Sequence, residues 1–352
     1  MRLNKTHFPA RALRKYDENE FIKESQVAIG VDVIAERCKF APIILFAFNR
    51  PNHLRKTLVA LSNNILADKS DLIIYCDGPR HERDVASVNE VLSVANSMTR
   101  FRSCKIIKRN SNFGLAKNII SGVSEQLISY DRVIVLEDDL VTSPFFLKYM
   151  NEGLEVYSND SSVASIHGYR FPCNKKPLQD TFFLKGADCW GWGTWRRSWK
   201  FFNPNARYLY DKILQVNGYV DFNRKFSFGY MEMLQDVYQG NATSWAIRWL
   251  ASAWINEMYT LYPRESLVRN IGMDGSGVHC SASNIADVCL SEHPIPVERI
   301  PVEEDKNMVR ELMRFLEKDS GGKLERAKRF LNYYLPFLRA NYNFLKKFFK
   351  FV

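Results

Sequence analysis

Three consecutive carboxylates, Glu137, Asp138 and Asp139, directly follow an apolar run over residues 133–136. Neighbouring like charges repel each other, and burial disfavours the ionised form of each, so the triplet needs a compensating partner. Two interpretations are open from these residues alone. The triplet is either a solvated turn after a strand or the site of a hard divalent cation such as Mg²⁺ or Mn²⁺, which takes oxygen ligands and bridges carboxylates to a substrate phosphate.

The elements before the triplet alternate between two kinds. Short apolar runs predict strands at residues 42–48, 71–76, 104–109 and 133–136, and apolar residues at helical spacing predict helices between them. Pro51 opens the first helix, in which Leu54, Leu58 and Leu61 share one face. Strands that alternate with helices of this length predict an α/β fold with a mostly parallel sheet and helices on both faces.

Polar residues follow each of these strands at the point where it ends. Because ligands bind beyond the carboxyl ends of the strands in such sheets, we expect these residues to share one site. Each of them alone is also compatible with a turn or cap. The residues after the first three strands are Asn49, Arg50, Asp77, Asn110 and Asn112.

The chain after residue 150 is rich in tryptophan and glycine. Trp190, Trp192, Trp195 and Trp199 lie within ten positions, and they either pack a core or present an aromatic platform to the C–H surface of a sugar. The segment at residues 267–280 is glycine-rich and includes Gly275 and His279. It is either a surface turn or a loop that closes over a ligand.

Composition limits the class of protein. The 352 residues are 46% apolar, which is enough for a large core, and the seven cysteines form no CxxC pair, which favours a reduced compartment. We expect no signal peptide and no membrane-spanning helix, because no apolar run reaches about 18 residues. Residues 323–352 carry eight Lys or Arg and one Glu, a net charge of +7, among aromatic residues. This predicts a helix that binds an anionic membrane rather than nucleic acid, and the alternative is a helical hairpin packed on the catalytic domain.

Together these residues resemble nucleotide-diphospho-sugar glycosyltransferases of the GT-A fold, and most closely the N-acetylglucosaminyltransferase I type and its bacterial relatives that build surface polysaccharides. The resemblance covers about residues 42–280 and rests on the strand-end residues and on the sequence "VLEDDL". It implies that Asp139 binds Mn²⁺ or Mg²⁺, while Glu137 and Asp138 face the ribose and sugar of the donor.

The resemblance also implies further donor and acceptor residues. Arg50 would contact the nucleobase and Asp77 would bind uracil, with Asn49, Lys117 and Asn118 nearby. The closing phosphate loop would contain Gly275 and His279, and the acceptor segment would contain Trp190, Trp192 and Trp195.

One departure concerns the general base. The family's inverting members have an acid within an Asp-Asp-Trp segment, whereas the corresponding "NATSWAIRW" here has none. A base must lie within hydrogen-bond reach of the acceptor hydroxyl. Glu232 and Asp236 are the nearest upstream acids, and their spacing of four places them on one helix face. They are the predicted catalytic residues.

The sequence therefore predicts a metal-dependent, inverting hexosyl- or N-acetylhexosaminyl-transferase with a UDP-sugar donor and a surface glycan or lipid-linked acceptor, located in the cytoplasm on the inner membrane face. The alternative is an inactive relative that binds glycan or membrane. The predicted domains are an N-terminal extension at 1–40, a catalytic domain at 41–290 and a linker with a basic helical tail at 291–352. Within the catalytic domain, 41–150 would bind nucleotide and 151–290 would bind acceptor.

Overall fold

The computed structural model describes residues 39–275 and 285–348, with side chains in the last helix up to residue 335. The predicted N-terminal extension, apart from its last two residues, and His279 lie outside the described residues.

The first half of the chain alternates strands and helices as predicted. Pro51 is the first residue of helix α1, which buries Leu54, Leu58 and Leu61 on one face. In order, the elements are β1 (Ile43–Ala47), α1 (Pro51–Ser62), β2 (Asp71–Cys76), α2 (Val85–Asn96), β3 (Ser103–Lys108), α3 (Leu115–Ser129), β4 (Arg132–Glu137) and β5 (Leu140–Thr142).

The second half adds four strands to the main sheet and a group of helices. Its elements are α4 (Phe146–Val156), β6 (Val163–His167), β7 (Thr181–Lys185), β8 (Trp192–Trp195), α5 (Arg196–Trp199), α6 (Ala206–Gln215), α7 (Tyr219–Phe222), α8 (Tyr230–Tyr238), α9 (Trp245–Ile255), β9 (Tyr259–Pro263), β10 (Val268–Asn270), α10 (Lys306–Asp319) and α11 (Gly322–Phe348). All of β10 lies outside the main sheet, where it pairs with β5.

The main sheet has the strand order β3-β2-β1-β4-β8-β6-β9-β7. Strand β1 pairs in parallel with β2 and β4, and β2 pairs in parallel with β3, so the carboxyl ends of these four strands meet at one edge. Strand β8 is antiparallel to both β4 and β6, and β9 is parallel to β6. Strands β4, β6 and β9 therefore run in the same direction, and the predicted mostly parallel sheet is confirmed.

Both faces of this sheet are covered. Along β1, Ile43 and Leu45 pack with α1 on one face, whereas Ile44 and Phe46 pack with α3 on the other. A strand that is buried on both faces reads as a continuous apolar run, because side chains alternate across the sheet. This is why β1, β2 and β4 stand out in the sequence as apolar segments, whereas the edge strand β3 is largely exposed and contains two lysines.

The predicted tail begins as a helical hairpin packed on the rest of the protein. The ring of Tyr333 in α11 stacks on Tyr219 with centroids 4.4 Å apart, and Phe226 contacts Phe330 and Tyr334. Helix α11 continues through Pro336. Within the part of the chain that the structure describes, no helix is long and apolar enough to cross a membrane.

Candidate functional site

Arg50 compensates the carboxylate triplet at the end of β4. It follows β1, which lies next to β4, so its guanidinium Nη2 reaches Asp138 Oδ1 and lies 2.9 Å from Asp139 Oδ2. Burial opposes the charged guanidinium, but the two carboxylates outweigh it and raise the pKa of Arg50. One cation therefore faces two carboxylates directly.

The triplet still carries more negative charge than its surroundings balance. Asp138 Oδ2 also accepts a hydrogen bond from the backbone N–H of Phe48 at 3.3 Å. Glu137 is half-buried and has no hydrogen-bond donor among the described residues, and burial followed by the charges of Asp139 and Asp138 raises the pKa of Glu137 to about 8. Three acids beside one arginine suit an additional cation.

The described side chains do not form a complete metal cage. No three His, Cys, Asp or Glu side chains converge on a common point within the described ranges. Mg²⁺ and comparable cations are commonly held by one or two carboxylates, with substrate phosphates and water as the other ligands. The residues of the triplet fit that kind of cation, with Asp139 as the predicted protein ligand.

The segment after β10 covers the triplet. Strand β10 pairs with β5, and the backbone N–H of Ile271 donates to the carbonyl of Asp139 at 2.8 Å. Gly272 lies so close that a Cβ atom on it would stand 2.0 Å from Asp139 Oδ2. Beyond it, Asp274 Oδ2 lies 3.1 Å from Nε2 of His53 in the first turn of α1. The start of the predicted closing loop is thus in contact with the predicted metal ligand.

Gly275 occupies the end of this described segment. Its φ of 84° lies in the left-handed region, where a side chain would be strained. A role of Gly275 in phosphate binding stays a prediction.

Asp77 lies at the same edge, after β2, and is only 4% exposed. Its carboxylate accepts hydrogen bonds from the backbone of Gly78 at 2.9 Å, of Phe113 at 2.8 Å and of Gly114 at 3.0 Å, and from Asn112 Nδ2 at 3.1 Å. Burial raises the pKa of Asp77 although these donors oppose the shift. Asp77 therefore fastens the loop after β3 to the end of β2, and its contact with uracil stays a prediction.

The predicted contacts on α3 surround Phe113. The Lys117 Nζ atom lies 4.3 Å from the centre of this ring, and the guanidinium of Arg109 lies 4.7 Å from it. Arg109 Nε also donates to Asn118 Oδ1 at 3.1 Å, so Asn118 positions the arginine. Our sequence interpretation did not select Arg109, although it follows β3 and belongs to the strand-end set.

A second cation–aromatic pair lies after β1. The guanidinium of Arg80 is 4.7 Å from the ring centre of Phe48, and Asn49 Nδ2 donates to Asp84 Oδ1 at 3.1 Å. Phe48 and Phe113 are both half-buried, so each leaves part of an aromatic ring accessible at the rim.

Two of the three tryptophans predicted to bind acceptor are core residues. Trp192 is 1% exposed and packs against Trp245 and Trp249, while Trp195 is 3% exposed and donates from Nε1 to the Leu154 carbonyl at 3.0 Å. A sugar cannot reach either ring, so the alternative interpretation, core packing, is correct for both.

Trp190 differs from the two buried tryptophans. It is half-buried, and its ring meets Tyr169 edge to face with centroids 4.7 Å apart. Its predicted role in acceptor binding remains a prediction.

Glu232 and Asp236 both lie on α8, as their spacing predicted. Glu232 Oε1 accepts a hydrogen bond from the Tyr219 hydroxyl at 2.9 Å, while its Oε2 is buried without a partner among the described residues. Asp236 is exposed. The structure shows no contact between either carboxylate and the triplet within the described ranges, and their catalytic role remains untested.

Comparison with known proteins gives one family and several distant structures. The family model described as "Glycosyl transferase family 2" matches residues 43–226, more than half of the chain. No curated protein sequence matches this chain.

Three solved structures illustrate how distant the structural likeness is. The mannosyltransferase PcManGT from Pyrobaculum calidifontis, in complex with GDP-Man and Mn²⁺, is 11% identical with a TM-score of 0.26, over 42% of this chain and 41% of that one. TarS from S. aureus is 9% identical with a TM-score of 0.31, over 64% of this chain and 36% of that one.

The third is glucosyl-3-phosphoglycerate synthase from Mycobacterium tuberculosis, in complex with Mn²⁺, UDP and glucosyl-3-phosphoglycerate. It is 12% identical with a TM-score of 0.31, over 51% of this chain and 67% of that one. The chain thus spans less than half of the mannosyltransferase and of TarS. Since the family match extends from β1 through the triplet to the helices after β8, the chain belongs to glycosyl transferase family 2.

Proposed function

We propose that this family 2 protein transfers a sugar from a UDP-linked donor to a surface glycan or lipid-linked oligosaccharide, with inversion and with the help of Mn²⁺ or Mg²⁺. The observation that carries the proposal is the triplet at the end of β4, where a single arginine pairs with two of three adjacent acids and Gly272 lies against Asp139. A divalent cation would supply positive charge to these acids and would in turn bind the diphosphate of the donor.

The residues at this edge of the sheet have separate roles in the proposed reaction. A divalent cation held at Asp139 would neutralise charge on the leaving diphosphate. Arg50 holds the carboxylates of Asp138 and Asp139 in place, and Glu137 faces the donor with an oxygen that no described residue contacts. The half-buried rings of Phe48 and Phe113, each beside a cation, offer surfaces for the nucleobase.

Nucleotide binding tests the proposal directly. We expect UDP to raise the melting temperature of the full chain in the presence of Mn²⁺, and EDTA to remove the effect. At a ligand concentration 100 times Kd the stabilisation is about 2.7 kcal/mol. A thermal-shift panel should compare UDP, GDP and dTDP, each with and without Mn²⁺.

An activity assay with a panel of UDP-sugars separates an active enzyme from an inactive relative. Release of UDP from UDP-glucose, UDP-galactose, UDP-GlcNAc or UDP-GalNAc identifies a transferase. If no nucleotide stabilises the protein with or without metal, the proposed function is wrong.

We further propose that residues 336–352, which begin in the distal part of α11, hold the protein on an anionic membrane. Residues 336–352 contain Arg339, Lys346, Lys347 and Lys350 and no acid. Each basic residue near an anionic surface contributes about 1 kcal/mol, which is screened by salt. The proximal part packs against Tyr219 and Phe226, so only the distal part is offered to the membrane in this proposal.

Removal of residues 336–352 should therefore release the protein from vesicles that contain phosphatidylserine. The full chain should sediment with these vesicles at low salt and not with neutral phosphatidylcholine vesicles. The melting temperature should change little, whereas truncation before Lys323 should lower it because Tyr219 and Phe226 lose their covering rings. Equal sedimentation of the 1–335 protein and the full chain would contradict this proposal.

A further inference from the structure

The segment between β7 and β8 brings one carboxylate, Asp188, to the edge of the sheet where β4 and β6 end. Trp192, the first residue of β8, pairs with Val135 near the end of β4 and with His167 at the end of β6. The residues just before it therefore lie at the carboxyl edge of both strands. Gly168 N–H fixes the approach by donating to the Gly191 carbonyl at 2.7 Å.

Asp188 is half-buried and only weakly engaged. Its Oδ1 accepts a hydrogen bond from the backbone N–H of Cys189 at 2.8 Å, and its Oδ2 lies 3.4 Å from the Tyr262 hydroxyl, a long contact. No Lys or Arg of the described residues forms an ion pair with it, and the nearby Arg224 is paired with Glu304 at 2.7 Å. This carboxylate retains lone pairs for a proton donor.

Several aromatic side chains lie around Asp188. Tyr262 stacks on Phe182 with centroids 5.5 Å apart and meets His167 edge to face at 4.9 Å. Nε2 of the fully buried His167 accepts from the Trp190 backbone N–H at 3.0 Å, and burial lowers the pKa of His167. The imidazole is therefore neutral with its proton on Nδ1, an atom that has no hydrogen-bond partner among the described residues.

The half-buried Trp190 is the accessible aromatic ring beside this carboxylate, and the buried Tyr169 supports it. The two rings are 4.7 Å apart at 74°, and the Tyr169 hydroxyl is anchored to the Ala286 carbonyl at 2.9 Å. A fixed aromatic wall next to a carboxylate is a suitable surface for a sugar hydroxyl acceptor, since the ring packs on C–H groups while the carboxylate takes the O–H.

Cys189 links Asp188 to the donor side. Burial is the largest cause that raises the pKa of the Cys189 thiol, and the charges of Asp188 and Glu137 add to it. Trp192 pairs with Val135, two residues before Glu137, so the chain that precedes β8, with Cys189 and Asp188, extends past the end of β4 on the side of the triplet. An acceptor between Asp188 and the triplet would meet Asp188 on one side and the donor sugar on the other.

We propose that Asp188 is the general base of the transfer reaction, a role that rests on the function proposed above. The acceptor oxygen forms a bond to the anomeric carbon of the donor sugar while its proton passes to the Asp188 carboxylate. The bond between the anomeric carbon and the diphosphate breaks, and its electron pair leaves with UDP. Asp188 thus supplies the acid that the segment "NATSWAIRW" lacks.

The test is Asp188→Asn in the full chain. Asparagine keeps the shape and can still accept from the Cys189 N–H, so the melting temperature and UDP affinity with Mn²⁺ should match the wild type. The rate of UDP release from the active UDP-sugar of the panel should fall by a factor of about 10² to 10⁴. The exposed Asp180, which lies just before β7, provides the matched control Asp180→Asn with unchanged rate.

A second variant separates chemistry from structure. Asp188→Ala should be inactive, and added formate should restore part of its UDP release, which a merely structural role would not allow. Wild-type turnover in Asp188→Asn, or loss of turnover only in Glu232→Gln, overturns the assignment of Asp188 while the proposed function stands. A wild type that binds UDP with Mn²⁺ but releases none from any of the four sugars overturns both the assignment of Asp188 and the proposed function. Failure of the wild type to bind UDP overturns both proposals.

Discussion

Replacement of Asp139 by asparagine is expected to abolish Mn²⁺-dependent UDP binding and to leave the fold intact. The asparagine oxygen can still accept from Arg50 Nη2, which now lies 2.9 Å from Asp139 Oδ2, so the packing is retained while one negative charge is lost. Mutation of a residue that only supports a metal ligand lowers metal affinity by about 10- to 100-fold. For Asp139, as the ligand itself, we expect UDP affinity in the presence of Mn²⁺ to fall by at least about 100-fold. Calorimetry with UDP and MnCl₂ measures it.

The matched control is Asp131→Asn. Asp131 directly precedes β4 and is exposed, so the variant makes the same chemical change at the opposite end of the same strand. Its UDP affinity should equal that of the wild type. Equal affinities for Asp139→Asn and the wild type would remove Asp139 from the metal site.

The second large effect is expected from Gly272→Ala. The new Cβ atom would stand 2.0 Å from Asp139 Oδ2 and 3.0 Å from Arg50 Nη1, so the Asp139 carboxylate must rotate away. Overpacking of this kind costs about 1–3 kcal/mol, and most of the strain should be relieved by movement of the side chain rather than of the backbone. We expect a folded protein whose Mn²⁺-dependent UDP affinity falls by about 10-fold or more.

Thermal melts and a double variant show whether this loss of UDP affinity comes from displacement of Asp139. Gly229→Ala is the control, since its Cβ would lie 3.2 Å from the end of the flexible Glu232 side chain and should leave UDP binding unchanged. Because Gly272 and Asp139 are in contact, their effects should not add in the double variant. Additive losses, or full affinity in Gly272→Ala, would show that Gly272 does not set the position of Asp139.

The fold of residues 41–150 could be predicted from the sequence because its signals are local. Strands β1, β2 and β4 are apolar runs followed by polar residues, and the parallel pairing then brings Arg50 to Asp138 without further information. The glycine-rich segment around Gly272 was also conspicuous in the sequence. Its contact with Asp139 depends on the pairing of β10 with β5, which no local pattern encodes.

The second half of the chain was harder to predict because strand order brings its residues together. Asp188, His167 and Tyr262 come from three separate segments, which meet because β6 lies between β8 and β9. Spacing could not separate Trp190 from Trp192 either, since the difference is whether α9 covers the ring. Glu232 and Asp236 do share a helix, but their spacing could not show that the Glu232 carboxylate accepts a hydrogen bond from the Tyr219 hydroxyl.

The pairing of β10 with β5 also has a consequence for synthesis on the ribosome. Strands β1 to β4 can form all their mutual pairs once residue 137 has emerged, whereas Asn270, which pairs with Leu140, emerges only after a further 133 residues. Contacts so distant in sequence form late, and domains of this size pass through partly folded states. The nascent chain therefore holds the carboxylate triplet without the segment around Gly272 until β10 has been made, so the surroundings of Asp139 are completed only after most of the chain has been synthesised.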